Sequence, residues 1–217
     1  MNDLPEISAK VFKCQSCSLH HSRIKAVPGE GPTNATIMFI GEGPGFHENQ
    51  QGRPFVGQAG KFLEELLAKA GLNRQEVYIT NVVKCRPPGN RDPQPDELEA
   101  CSEYLNRQIE LINPKIIVTL GRFSMAKFFG QVKISQIHGR DKKIGQRYFV
   151  AMYHPAAALH QPALKNTLLE DFSKLKDFIH QVSSQSSIKE NQEKSYKSIV
   201  VEKEEDPEEK PTQLSFF

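Results

Sequence analysis

The feature that most constrains this chain is a repeated order: a short apolar run, a loop rich in Gly or Pro, then a stretch whose apolar residues return every three or four positions. Apolar runs at residues 36–40, 77–83, 116–120 and 148–152 read as strands. The first ends in GEGPG and precedes a helical stripe of Phe62, Leu63, Leu66, Leu67 and Ala70 before Gly71. The second leads through a Pro- and Gly-rich loop to Leu98, Leu105, Ile109 and Ile112, again at helical spacing. The third stops at Gly121 ahead of a short helical segment at 123–129, and after the fourth Leu164, Leu168, Phe172, Leu175 and Ile179 mark a last helix. Strands that are apolar throughout offer no face to water, so both faces of their sheet must be covered, and the alternating helices supply the cover. The expected fold class is α/β, a three-layer α/β/α arrangement with a central four-stranded, mainly parallel sheet. Ligands of such sheets bind beyond the carboxyl ends of the strands. GEGPG, the Asn81 region and Tyr153-His154-Pro155 all fall there, so three chain-distant segments converge on one edge.

Beyond residue 182 the apolar period fades, and residues 183–217 hold five Lys against eight Asp or Glu, leaving 23 basic and 18 acidic residues on 1–182. A basic body with an acidic, Ser- and Gln-rich tail fits a domain that touches phosphates, at 1–182, followed by a segment, at 183–217, that does not fold onto it, with 183–211 as a disordered linker. The first residues, MNDLPEISAKVFK, lack an apolar export core, and no stretch reaches the ~18 apolar residues of a membrane span. The expectation is a soluble, cytoplasmic monomer without membrane contact. In that setting the four cysteines, Cys14, Cys17, Cys85 and Cys101, point to reduced thiolates for a metal rather than to disulfides. Four thiolates suit tetrahedral zinc or a cubane iron–sulfur cluster, and their spacing does not choose, although a single local C-x-x-C pair is less typical of a zinc ribbon. Cys85 and Cys101 as plain buried residues is the bland alternative.

Several phosphate and base-chemistry motifs fail on inspection. GQAGKF lacks the Gly and the Ser or Thr of a phosphate loop, having Phe55 and Phe62 at those places, and GEGPGF has Phe46 where a dinucleotide fingerprint needs its third Gly. Cys14-x-x-Cys17 is preceded by Lys13 rather than Pro, unlike a zinc deaminase.

What remains is GEGPG followed by Glu48, GRPFVG with Phe55, TNVVKCRPPGNRDP with Asn81, and YHPAAAL with His154. In this order the blocks resemble those of family 4 uracil-DNA glycosylases, over residues 11–179. The resemblance implies a compact α/β/α fold, a 4Fe-4S iron–sulfur cluster on Cys14, Cys17, Cys85 and Cys101, and hydrolytic removal of uracil from single- and double-stranded DNA at the start of base excision repair. No lysine is expected to act as a Schiff-base nucleophile, so the enzyme would be monofunctional. A non-catalytic DNA-binding scaffold of the same fold, or a zinc enzyme of other chemistry, is the alternative.

Each block has a physical task on this reading. A glycosylase extrudes the nucleotide and reads the base by stacking and by its Watson–Crick edge. Phe55 would stack on the flipped ring, worth ~1–3 kcal/mol. The Asn81 amide can accept from uracil N3–H and donate to O4, and cytosine reverses both groups, a mismatch that can discriminate ~10⁴-fold. His154 would donate to uracil O2, where charge gathers as the bond breaks; such a donor is typically worth ~3–4 kcal/mol. Gly43 stands where the best-known glycosylases carry a water-activating Asp. Glu48 is therefore the candidate for positioning water and Glu42 for shaping the pocket, while Asn49 replaces an acid common in the family. Leu159, five residues after His154, suits a wedge that holds the duplex open. Arg53, Lys84, Arg86 and Arg91 are candidates for phosphate contact.

The chain ends in Gln213-Leu214-Ser215-Phe216-Phe217 after the acidic stretch. A tail without a core has no folding reason to finish on Leu and two Phe. The pentapeptide is similar to the motif by which bacterial repair proteins grip the replication sliding clamp, with Gln213 as the polar contact and Leu214, Phe216 and Phe217 as apolar anchors.

Overall fold

The computed structural model describes residues 3–202, and the side chains of all of these but 183 and 185–202. Two units divide the chain between Lys176 and Asp177. The first holds a five-stranded sheet in the order β2-β1-β3-β5-β4, with β1 at Ile37–Gly41, β2 at Tyr78–Asn81, β3 at Ile116–Leu120, β4 at Asp141–Ile144 and β5 at Arg147–Met152. β1, β2, β3 and β5 are parallel, in a register that sets Met38 beside both Tyr78 and Ile117, and Ile117 beside Phe149. β4 returns antiparallel along β5.

The fifth strand corrects the expected four. Its sequence, DKKI, is exposed at every position and carries no apolar run, so hydropathy gives no sign of it. Lysines on a short outer strand are a common way of keeping a sheet edge from pairing with another chain.

Side-chain alternation divides the core between the two faces of the sheet. On one face Met38, Ile40, Ile117 and Phe149 form a single cluster with Leu4, Ile7 and Val11 of α1 (Leu4–Lys13), Leu105, Ile109 and Ile112 of α4 (Pro95–Ile112) and the aromatic residues of α5 (Arg122–Phe129). Phe39 points the other way and stacks on Phe172, their ring centroids 6.1 Å apart. Phe172 belongs to α8 (Ala163–Glu202), and the buried stripe Phe62, Leu63, Leu66 and Leu67 to α3 (Gln58–Lys69). α1 has its own start signals, an Asp3 side chain accepting from the Glu6 N–H and a Pro in the first turn.

α8 does not stop near residue 182 but runs to Glu202. Residues 183–202 are rich in Lys, Glu, Gln and Ser and contain neither Gly nor Pro, so the fading apolar period removes the packing signal without supplying a helix breaker. That stretch belongs to the expected disordered linker and is helical here; Gln213, Leu214, Phe216 and Phe217 lie outside the described residues. No helix among the described residues is long and apolar enough to cross a membrane.

Candidate active site

The carboxyl ends of the parallel strands open onto a cleft of about 390 Å³. β1 ends at Gly41 and delivers Glu42 and Gly43; β2 ends on Asn81; Gly121 follows β3; and two residues beyond β5 comes His154, which caps α7 (Pro155–His160). Glu42, Gly43, Glu48, Phe55, Asn81, Arg91 and His154 all line this one cleft. Of the residues expected to touch DNA, Arg53, Lys84, Arg86 and Leu159 do not. Arg53 makes a two-point ion pair with Glu30, at 2.7 and 2.8 Å. Arg86 donates to Asn90 Oδ1 at 2.8 Å with its guanidinium over the Phe46 ring. Leu159 is 46% exposed, beside the lining residue His160.

Phe55 is held by sterics. It sits between α2 (Phe46–Gln51) and α3 with φ +50, a conformation a bulky residue rarely adopts. Arg74 donates to the carbonyls of Pro54 and Phe55, and a Cβ on Gly60 would fall 2.0 Å from the Phe55 carbonyl oxygen. A Cβ on Gly41 would meet the Phe55 ring at 2.7 Å and Asn81 Oδ1 at 2.4 Å, so glycine at the end of β1 lets the two side chains stand together. The Phe55 and His154 rings lie 5.5 Å apart at 24°.

Asn81 is 2% exposed, and its Oδ1 is buried without a hydrogen-bond partner. Such an acceptor typically costs ~1–3 kcal/mol unless something fills it. His154 is fixed differently: its Nδ1 accepts from the Ala156 N–H at 3.1 Å, leaving Nε2 to carry the proton. Burial lowers its pKa to about 4, against an opposing pull from Glu48, so at neutral pH the ring is an uncharged Nε2–H donor.

The two carboxylates differ in how they are held. Glu48 Oε1 accepts from the Val56 and Gly57 N–H groups at 2.8 and 2.9 Å, tying α2 to the loop that carries Phe55. Burial pushes the Glu42 carboxyl up to about 6, helped by Asp92 and opposed by Arg122. Asn49, where the family commonly has an acid, is buried and accepts from the Ile24 N–H at 2.9 Å. It fastens the chain to residues 24–25 rather than facing the cleft.

Lys84 overturns one expectation. Expected as a phosphate contact, it is 1% exposed and does not line the cleft. Its ammonium donates to Thr80 Oγ1, the Asn81 carbonyl and Gln108 Oε1 at 2.6, 2.9 and 2.7 Å, and burial brings its pKa down to about 7. Pro87, Asn90, Ala156, Ala157 and His160 also line the cleft. Sequence reading missed them because loop geometry, not residue type, brings them there.

The four cysteines, drawn from the start of the chain, the end of the β2 loop and α4, line a second cavity of about 10 Å³ with Arg23 and Tyr104. None of the four is in a disulfide. Arg23 Nη1 donates to Cys85 Sγ and the Lys84 N–H to Cys101 Sγ, each at 3.3 Å. A cation and an amide aimed at sulfur suit thiolate ligands. Among the described residues no group of three donors stands at metal-holding distance. The residue types fit a four-thiolate centre.

The family model of the uracil DNA glycosylase superfamily matches residues 28–176. Among curated proteins, the type-4 uracil-DNA glycosylase of Sulfurisphaera tokodaii is 48% identical over 82% of this chain and 85% of its own length. Those of Saccharolobus solfataricus and Archaeoglobus fulgidus are 49% and 45% identical over 82% and 81% of this chain, covering 87% and 92% of their own lengths. The matched span contains the whole lining of the cleft, and on that ground the chain belongs to the uracil DNA glycosylase superfamily, in its type-4 branch.

Proposed function

We propose that the cleft receives a uracil extruded from single- or double-stranded DNA and that the protein hydrolyses its N-glycosidic bond. The observation that carries this is the buried, unpaired Oδ1 of Asn81. An acceptor left open in the interior of a cleft calls for a donor on the ligand, and uracil N3–H is one. The Asn81 amide N–H₂ then meets O4, and Phe55 stacks on the ring. As the bond between C1′ and N1 breaks, its electron pair moves into the pyrimidine, and the His154 Nε2–H donates to O2 where the charge collects. Water adds to C1′, its oxygen forming the new bond and its proton leaving to a carboxylate. Glu48, with Oε1 anchored by two N–H groups, positions that water through its other oxygen, and Glu42 shapes the wall beside Gly43. Uracil leaves as an anion and takes a proton from solvent. The product is an abasic site, since among the described residues no lysine amine lines the cleft, and the strand stays whole until treated with alkali. Leu159 wedges into the duplex, and Arg53, Arg86 and Arg91 face its phosphates.

Cys14, Cys17, Cys85 and Cys101 hold a 4Fe-4S cluster, which supplies a structural cross-link rather than a reacting centre. Iron and sulfide analysis with a broad visible absorption supports this; one zinc per chain after anaerobic purification rejects it. Gln213, Leu214, Phe216 and Phe217 dock on a sliding clamp, so a chain lacking 213–217 loses clamp binding and keeps cleavage of short oligonucleotides. Clamp binding that survives the truncation rejects that role. The principal test is incubation with uracil-containing oligonucleotides followed by alkali. Breaks at uracil are expected, and intact strands in both single and double forms overturn the proposal.

A further inference from the structure

One aromatic side chain beside the cleft has no part in the mechanism above. Phe46 opens α2 next to the lining residue Gly45 and is 53% exposed, although its neighbours in the GEGPG loop turn inward. It is not a loose surface residue. The Arg86 guanidinium lies over its ring, 5.3 Å from the centroid, and His47 packs edge-on at 5.4 Å. Arg86 is itself held by Asn90 Oδ1 at 2.8 Å, and Asn90 lines the cleft. Arg86 has no acidic partner among the described ion pairs, so its charge is not spent within the protein. The result is a flat π surface at the rim with a cation against it, braced from the cleft wall.

We propose that Phe46, with Arg86, is a stacking platform for the base adjacent to the extruded uracil; this rests on the proposed function above. Extruding one nucleotide removes a stacking partner from its neighbour. In a duplex the neighbour remains paired to the opposite strand, whereas in single-stranded DNA nothing holds it. An exposed ring at the rim gives that base a face, and the guanidinium beside it faces the backbone phosphate on the same nucleotide. Stacking of this kind tolerates any base, so it adds affinity for single strands without narrowing the sequence around uracil.

The test uses the full-length protein and oligonucleotides in which 2′-fluoro-deoxyuridine replaces deoxyuridine, so that binding is read without cleavage. Phe46→Ala is expected to weaken single-stranded binding by at least about fivefold, and duplex binding by clearly less. Phe12→Ala removes a ring of equal exposure, 53%, from α1 and is expected to change neither. With 5-iododeoxycytidine next to the fluorinated uridine, ultraviolet light should cross-link the DNA to Phe46. Equal losses on both DNA forms, or unchanged single-stranded affinity with a cross-link elsewhere, overturn the platform. Uracil release by the wild-type protein is measured alongside: its absence defeats the underlying function, and its presence with an inert Phe46→Ala defeats the platform alone.

Discussion

In the cleft beyond the strands, polar atoms are left open: the Asn81 oxygen has no partner, and the bond at Nδ1 leaves the one proton of His154 on Nε2. In the cysteine cavity the reverse holds. Cys85 and Cys101 each receive an internal donor, and the cavity that the four cysteines help to line is about 10 Å³ against about 390 Å³ in the cleft. An open, unsatisfied site suits a ligand that arrives and leaves, because the cost of the unpaired atoms is relieved only while it is bound. A closed site lined by donors suits a permanent resident. Two residues span both regions. Lys84 gives its N–H to Cys101 and its ammonium to the Asn81 carbonyl, and Glu97 accepts from Arg91 at the cleft and from Ser18, the neighbour of Cys17.

The largest expected effect lies at the open end of this contrast. Asn81→Ala and His154→Ala should each slow single-turnover uracil release by at least about 100-fold. A near-normal rate for either removes that residue from the chemistry. Next is the closed end: Cys101→Ala should lower the melting temperature by about 5 °C or more and weaken DNA binding with it. If DNA affinity holds while stability falls, the two regions are not coupled through Lys84.

A smaller effect separates the carboxylates. With Glu42 at about 6 and His154 at about 4, proton transfer to Glu42 would give single-turnover rates an acid limb near pH 6. The expected result is that Glu42→Gln lowers the rate several-fold and leaves the shape of the profile alone. A limb near pH 6 in the wild type that vanishes in Glu42→Gln assigns the water to Glu42 instead of Glu48. Smallest is the contribution of Glu97, which Arg91 above all holds at about 2, below its ordinary 4.5. A depressed carboxyl stabilises the fold fully above pH 4.5, and the contribution is lost as pH falls towards 2. Arg91→Ala should flatten stability across that acid window, and an unchanged slope would show that Ser18 and the Gln94 N–H suffice.

The sheet was legible wherever a strand is buried on both faces: the run at 116–120 matches β3 in full, and the others agree to within a few residues. β4 was not, because an edge strand needs no apolar residues, and α2 was hidden in a loop too short to show a period. That Asn81 and His154 lie at the cleft was legible because strand ends mark the ligand edge. What Glu48 holds could not, since its partners Val56 and Gly57 are set by a turn whose φ +50 at Phe55 leaves no trace in residue type. The burial of Lys84 was hidden in the same way: a lysine in a motif beside arginines looks like a phosphate contact until Thr80, Asn81 and Gln108 surround it.

Gly60 sits inside α3, where glycine weakens a helix by roughly 1 kcal/mol relative to alanine. Anyone engineering the protein for heat tolerance would choose that position early, because alanine in a helix ordinarily stabilises. Here the added methyl would press on the Phe55 carbonyl and drive the aromatic ring out of its place beside His154. Because the atoms it meets are backbone, the clash would itself lower the melting temperature, so the usual helix rule gives the wrong sign at this one position.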